Sequence, residues 1–229
     1  MLKLIRLEWK KNKIGKYIFK AAIMTVILSL LIVGMAGELE AVETVQAYGT
    51  SMINASVDLF TNMAYIILTG VMLSTFIVGA YEKRMMHLMF SYPINRKKIL
   101  LSEIFAVWIF NFVAMAVSKV FIYLILLAAR PFLGISAAGI QFGALSFWMN
   151  ILIGSAAMVS ISYIALPVGL LMKSSKAAIV AAVIIMLLTQ GNIGKATLVN
   201  NIPFYGIMLF LAVWAVFLAI HGVEIKDLP

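Results

Sequence analysis

The chain has 229 residues, 64% of them hydrophobic and 12% charged, with a formal net charge of +9 and no cysteine. A water-soluble core of this length cannot hide so much apolar surface, so hydrocarbon must be part of the solvent. The absence of cysteine excludes a disulfide framework, a thiolate metal site and a cysteine nucleophile. Because the basic residues sit between apolar runs, the positive charge points to an anionic membrane leaflet and not to nucleic acid.

The chain opens on a basic arm. Over residues 1–16, Leu2, Ile5 and Trp9 fall on one helical stripe, flanked by Lys3, Arg6, Lys10 and Lys13. This pattern predicts an N-terminal amphipathic interfacial helix. Trp9 would enter the headgroup boundary while Lys10 and Lys13 reach phosphates. A basic flank without fixed structure is the alternative. The arm is long, and the first apolar run exceeds a signal-peptide core and lacks an A-x-A end, so it reads as a retained span.

Six apolar runs follow, at about 17–36, 59–80, 104–129, 145–172, 177–190 and 204–221. A helical span needs roughly 20 apolar residues. The runs are continuously apolar and do not alternate, which favours helices over barrel strands. Pro167 should bend the fourth helix near its end. The polar stretch 191–203, with Gly191, Gly194 and Pro203, is predicted as an outer loop or re-entrant turn. No internal repeat or pair of broken helices supports an inverted-repeat secondary transporter.

The basic residues orient these runs. Lys3, Arg6, Lys10, Lys11, Lys13, Lys16 and Lys20 precede or open the first span. Lys83, Arg84, Arg96, Lys97 and Lys98 follow the second, Lys173 and Lys176 follow the fourth, and Lys226 lies in the tail. The opposite side has only Arg130 and Lys195, and its first loop carries Glu38, Glu40 and Glu43. The expected fold class is therefore an all-α integral membrane protein with six transmembrane helices and both ends in the cytoplasm. Residues 1–229 form a single transmembrane domain in this reading.

The segment YEKRMMHLMFSYPINRKKILLSE, from Tyr81 to Glu103, is cytoplasmic in this topology. Its middle is apolar and aromatic, and charges bracket it. A loop that only returned the chain would not need this mixture; an amphipathic segment here suits a membrane surface or a groove on a cytoplasmic partner. The Tyr92–Pro93 pair ends a helix, because the residue before proline disfavours the helical region.

Few residues offer chemistry. Lys119 lies well inside the third run. Burying its cation in hydrocarbon costs at least about 2.5 kcal/mol on insertion scales. It either lines a substrate path or snorkels to the outer surface. Asp58 sits at a span edge and, with Glu38, Glu40 and Glu43, either attracts a cationic substrate or is simply solvated. His87 reads as a surface residue and His221 as a marker of the inner interface. The stretch Gly191 to Thr197 imitates a phosphate loop, but its glycines are too close and Ala196 replaces the required hydroxyl. No nucleophile–base set or metal-ligand cluster is evident, so the chain is not expected to be an enzyme or to bind a cofactor.

The tyrosine and glutamate leaving the second span, followed by LMFSYPINRKKILLSE entering the third, resemble the permease subunit of an ABC-2 type exporter. The resemblance extends to the amphipathic arm, the six spans, the GLLMKSSKAAI stretch from Gly169 to Ile179 and the tail EIKDLP. It implies a dimer with a second permease copy or paralogue, and ABC ATPase partner subunits that carry the ATP and Mg. The loop 82–98 would be the coupling loop, with Glu82, Lys83, Arg84, His87, Leu88, Phe90 and Tyr92 as the ATPase contacts. It also implies alternating access, with an amphiphilic substrate (a peptide, antibiotic or lipid-like molecule) moved between permeases along spans one, two and five. The implied location is multi-pass in a bacterial plasma membrane. A non-transporting membrane scaffold and an ion-coupled secondary transporter are the competing readings.

Overall fold

The computed structural model describes residues 2–45, 52–82, 96–133, 142–193, 196–197 and 202–225. Among these, α1 is Leu2–Lys11, α2 is Gly15–Val45, and α3 is Met52–Leu73. The last continues through a π-helical segment, Ser74–Val78, into α4, Gly79–Glu82. Then come α5 (Arg96–Leu133), α6 (Leu145–Ser162), α7 (Ala165–Leu171), α8 (Ser175–Gln190) and α9 (Ile202–Ile225).

Among the described residues, five stretches are long and apolar enough to cross a membrane: Gly15–Gly37, Met52–Val78, Ile99–Phe132, Leu145–Leu171 and Pro203–His221. Each overlaps a run read from the sequence. The remaining run, expected at 177–190, forms α8, which has 16 residues. At 1.5 Å per residue it is about 24 Å long, against ~30 Å of hydrocarbon. Large apolar side chains lie exposed on α2 (Phe19, Ile27, Leu30) and on α9 (Phe210, Val213, Trp214, Phe217). Such faces suit hydrocarbon as solvent.

The helix ends explain where the arm stops. Asn12 Nδ2 donates to the Glu8 carbonyl at 3.1 Å. Lys13 N donates to Lys10 O at 3.3 Å and Ile14 N to Trp9 O at 3.0 Å, with Lys13 at φ 50°. This is a Schellman cap, and it ends α1 at Lys11, short of the expected 1–16. The same cap closes α7: Lys173 N meets Leu170 O at 3.3 Å and Ser174 N meets Gly169 O at 3.2 Å, with Lys173 at φ 46°. A non-glycine residue strains there, so Lys173→Gly is expected to stabilise the protein by about 1 kcal/mol. Denaturant unfolding in mixed micelles measures this; a destabilised variant would contradict it.

Pro167 breaks the fourth span four residues before itself. A proline cannot donate to the carbonyl of Tyr163. There the chain turns tighter: Tyr163 N, Ile164 N and Leu166 N donate to Ser160, Ile161 and Tyr163 carbonyls at 3.0, 3.1 and 3.0 Å. The helix divides into α6 and α7 at that point. Beyond α8, Asn192–Ile193 pairs antiparallel with Ala196–Thr197, so part of the expected outer stretch is a short hairpin.

The chain forms two compact units. The first takes residues 1–14, 65–112 and 157–229. Small residues set its packing: a Cβ on Gly70 would collide with Ala182 Cβ, and one on Gly169 would come within 2.6 Å of Ala178 Cβ and 2.9 Å of Val78 Cγ2. Ala178 and Ala182 are one turn apart on α8, the small-xxx-small spacing that lets membrane helices approach closely. The second unit takes residues 15–64 and 113–156. Its core gathers Leu28, Ile32 and Ala36 of α2, Ile53 and Val57 of α3, Ile122, Tyr123 and Leu126 of α5, and Ile151 of α6. The Tyr123 and Phe147 rings meet edge-on at 5.0 Å beside it.

Candidate functional site

The predicted coupling contacts centre on a segment outside the described residues. Glu82 closes α4, whereas Lys83, Arg84, His87, Leu88, Phe90 and Tyr92 lie in the 83–95 stretch that is not described. What leads into that segment is unusual. The turn Ser74–Val78 is π-helical, and Gly79 N–H reaches back to Ser74 O. Ser74 Oγ donates to the Ser175 carbonyl at 2.9 Å, and Ser175 Oγ donates to Ser74 O at 3.4 Å. The widened turn is thus held by a reciprocal serine bridge to the start of α8. A Cβ on Gly79 would lie 3.3 Å from Ser74 O and 3.6 Å from Ser175 Oγ, which explains the glycine. Single-turn π segments inside α-helices are frequent at functional sites.

On the other flank, α5 receives α1. Trp9 Nε1 donates to the Ala106 carbonyl at 3.0 Å, and Ile5 and Glu8 are buried. The Ile5–Trp9 side of the stripe therefore packs on protein, with Trp9 itself half-buried. Glu8 lies on the same face, where its carboxylate accepts from Lys11 Nζ at 3.0 Å and from Asn12 Nδ2 at 3.4 Å. Lys11 Nζ bridges Glu8 Oε2 and Glu103 Oε1, both at 3.0 Å. Burial, the largest single influence, pulls the Lys11 ammonium down, but Glu103 and Glu8 together hold it above its ordinary value. It is charged at neutral pH. Lys10 and Lys13 are exposed, as a basic outer face requires. Because Glu103 is almost fully buried, Lys11→Met leaves a carboxylate without its counter-charge. We expect α1 to loosen, read as faster amide exchange over residues 2–11; unchanged exchange would contradict the bridge.

The other charged centre lies in the second unit. Lys119 of α5 is 1% exposed and donates to Asp58 Oδ1 of α3 at 2.6 Å. Of the two readings of Lys119, free snorkelling to the surface does not describe it: the stem and the amine are enclosed by protein, and the amine ends on a carboxylate. Asp58 is half exposed, so the pair has one sealed and one reachable end. Thr61 and Asn62, one turn along α3, and Ser155 on α6 are buried, and Thr61 Oγ1, Asn62 Oδ1 and Ser155 Oγ carry no hydrogen bond.

Sequence reasoning flagged Lys119 and Asp58 separately and missed their pairing. It also missed Glu8, Thr61, Asn62 and Ser155. A signal existed for some of these. Asp58, Thr61 and Asn62 recur at the spacing of one helix face inside an apolar run, and Glu8 and Lys11 stand at i and i+3. Among the described residues, no group of three or more histidine, cysteine, aspartate or glutamate side chains is arranged to hold a metal.

No protein-family profile matches the chain, and no solved structure matches it. The chain is similar to "Uncharacterized protein YcbO" of Bacillus subtilis (strain 168), at 26% identity over 121 residues. The match covers 53% of this chain and 53% of that protein, so the similarity spans about half the length of each.

Proposed function

We propose that this chain is the membrane-spanning permease subunit of an ATP-driven exporter of the ABC-2 type, resident in a bacterial cell membrane. The observation that carries the reading is the segment Tyr81–Glu103, an apolar stretch bracketed by charge between two spans. In support, the segment is entered through a π-helical turn, and the helix that leaves it is bound to α1 by Trp9 and Lys11. A separate ATPase docking on Glu82, Lys83, Arg84, His87, Leu88, Phe90 and Tyr92 would thus act on two helices and the arm together. ATP-driven closure of two such subunits biases the permease between inward and outward states. The cargo is an amphiphile.

The topology in this proposal has six spans. The basic arm and Lys226 belong on one side, which demands an even number of crossings. The short α8 must therefore cross, by local thinning of the bilayer around it. The natural lack of cysteine makes the test clean. Single cysteines at Lys10, His87 and Lys226 should label from the cytoplasm and one at Asn200 from outside. Labelling of position 226 from outside would leave five spans. A cysteine at His87 should also crosslink to the partner ATPase, and vesicles holding both should move cargo on ATP addition. Crosslinking without movement would favour the scaffold reading, and no crosslink would end the exporter assignment.

A further inference from the structure

The second unit buries polar side chains where a membrane interior favours apolar ones. On α3, Asp58, Thr61 and Asn62 stand at i, i+3 and i+4, so they share a face. Thr61 is 0% and Asn62 4% exposed, and Thr61 Oγ1 and Asn62 Oδ1 hold no hydrogen bond. Ser155 Oγ of α6 is likewise buried and unsatisfied. Such groups in a low-dielectric interior are retained against a desolvation penalty, which marks them as candidates for a ligand-dependent role.

The ion pair on this face is lopsided. The side chain of Lys119 is 2% exposed, whereas that of Asp58 is 49% exposed. An approaching molecule therefore meets the carboxylate and not the ammonium. Lys119 occupies Oδ1, which leaves Oδ2 as an acceptor. The unsatisfied groups along the face add an amide oxygen and hydroxyls, so the surroundings favour a hydrogen-bond donor with positive charge. Leu59, exposed beside Asp58, offers apolar surface for a hydrocarbon tail. An ammonium has three N–H donors, and Lys119 spends one of them on Asp58. When Asp58 is taken by another cation, the sealed Lys119 ammonium loses its counter-charge, a cost set against ligand binding that a neutral residue at 119 would remove. A Cβ on Gly154 would come 3.9 Å from Nζ, so no side chain from that position crowds the amine.

We infer that Asp58 receives the cationic head of an amphiphile, an alkyl ammonium or guanidinium, and that Lys119 is a built-in competitor displaced when the ligand binds. The naming of this cation as cargo rests on the exporter reading; the binding itself does not.

The test uses the full chain in lipid nanodiscs, with dodecylammonium as probe, dodecyl sulfate as control and calorimetry as the readout. The wild type should bind dodecylammonium and not dodecyl sulfate. Lys119→Met removes the competitor and should tighten dodecylammonium binding at least tenfold. The double variant Asp58→Asn with Lys119→Met removes both charges, leaves no sealed cation unpaired, and should bind at least tenfold more weakly than Lys119→Met. A purely structural brace predicts no tightening in Lys119→Met, so unchanged or weaker binding there overturns the proposal, as does full binding by the double variant. The exporter reading fails separately: Asp58-dependent binding without ATP-driven movement of the probe leaves the site and removes the cargo role. ATP-driven movement that ignores Asp58 does the reverse.

Discussion

Replacing Asp58 with alanine is expected to destabilise the protein by about 3–5 kcal/mol, while adding Lys119→Met to that variant should return it to within about 1 kcal/mol of the wild type. The reasoning follows from where the two charges sit. Lys119 is sealed inside the second unit and its amine ends on Asp58. Removing the carboxylate leaves a cation with neither water nor counter-charge, and the fold must open or the lysine must lose its proton. Replacing the lysine with methionine, of similar length, removes the need for a partner altogether. Unfolding in mixed micelles by denaturant gives all four corners of the double-mutant cycle. Equal losses in the single and double variants would show that Asp58 does not neutralise Lys119.

Gly70→Leu is expected to be the second most damaging change, at about 3 kcal/mol, the upper end of the range for overpacking. The clash is with Ala182 Cβ, so the neighbour has no flexible side chain to swing aside and α3 or α8 must shift as a body. Gly169→Leu meets Ala178 Cβ and Val78 Cγ2 and should act in the same direction. Gly206→Leu is the matched control: a Cβ there meets nothing within 4 Å, and the change should be nearly neutral. Melting temperatures of the three variants decide the matter. A neutral Gly70→Leu would mean that α3 and α8 are not in this contact.

The long apolar helices were legible because a continuous apolar run of about twenty residues has few other outcomes. All five long helices follow their runs to within several residues at each end. The charge asymmetry likewise needs no tertiary structure to be seen. The arm was half legible. Its helix is periodic and basic, but whether Ile5 and Trp9 face lipid or protein depends on a carbonyl at Ala106, 97 residues away, which no local pattern encodes. The pairing of Lys119 with Asp58 is hidden for the same reason: 61 residues separate them, and each alone has an ordinary explanation. The early stop of α1 was hidden by its chemistry. Schellman caps are commonly marked by glycine, and here lysine takes the left-handed position twice.

The π-helical turn also changes how α3 and α4 should be counted. Through Leu73, one side of the rod can be followed from Asp58 to Thr61, Asn62, Tyr65 and Thr69 by steps of three and four. A turn closed by five-residue hydrogen bonds holds one residue too many for that rhythm, and the phase slips. Each residue of an α-helix subtends about 100° and rises 1.5 Å. Deleting one residue between Ser74 and Val78 would therefore restore the ordinary winding while leaving Glu82 close to its present azimuth, whereas rewinding the turn as α-helix without a deletion would swing Glu82 by roughly that angle. One surplus residue is thus taken up within a single turn ahead of Glu82, and two serines clamp the turn that holds it.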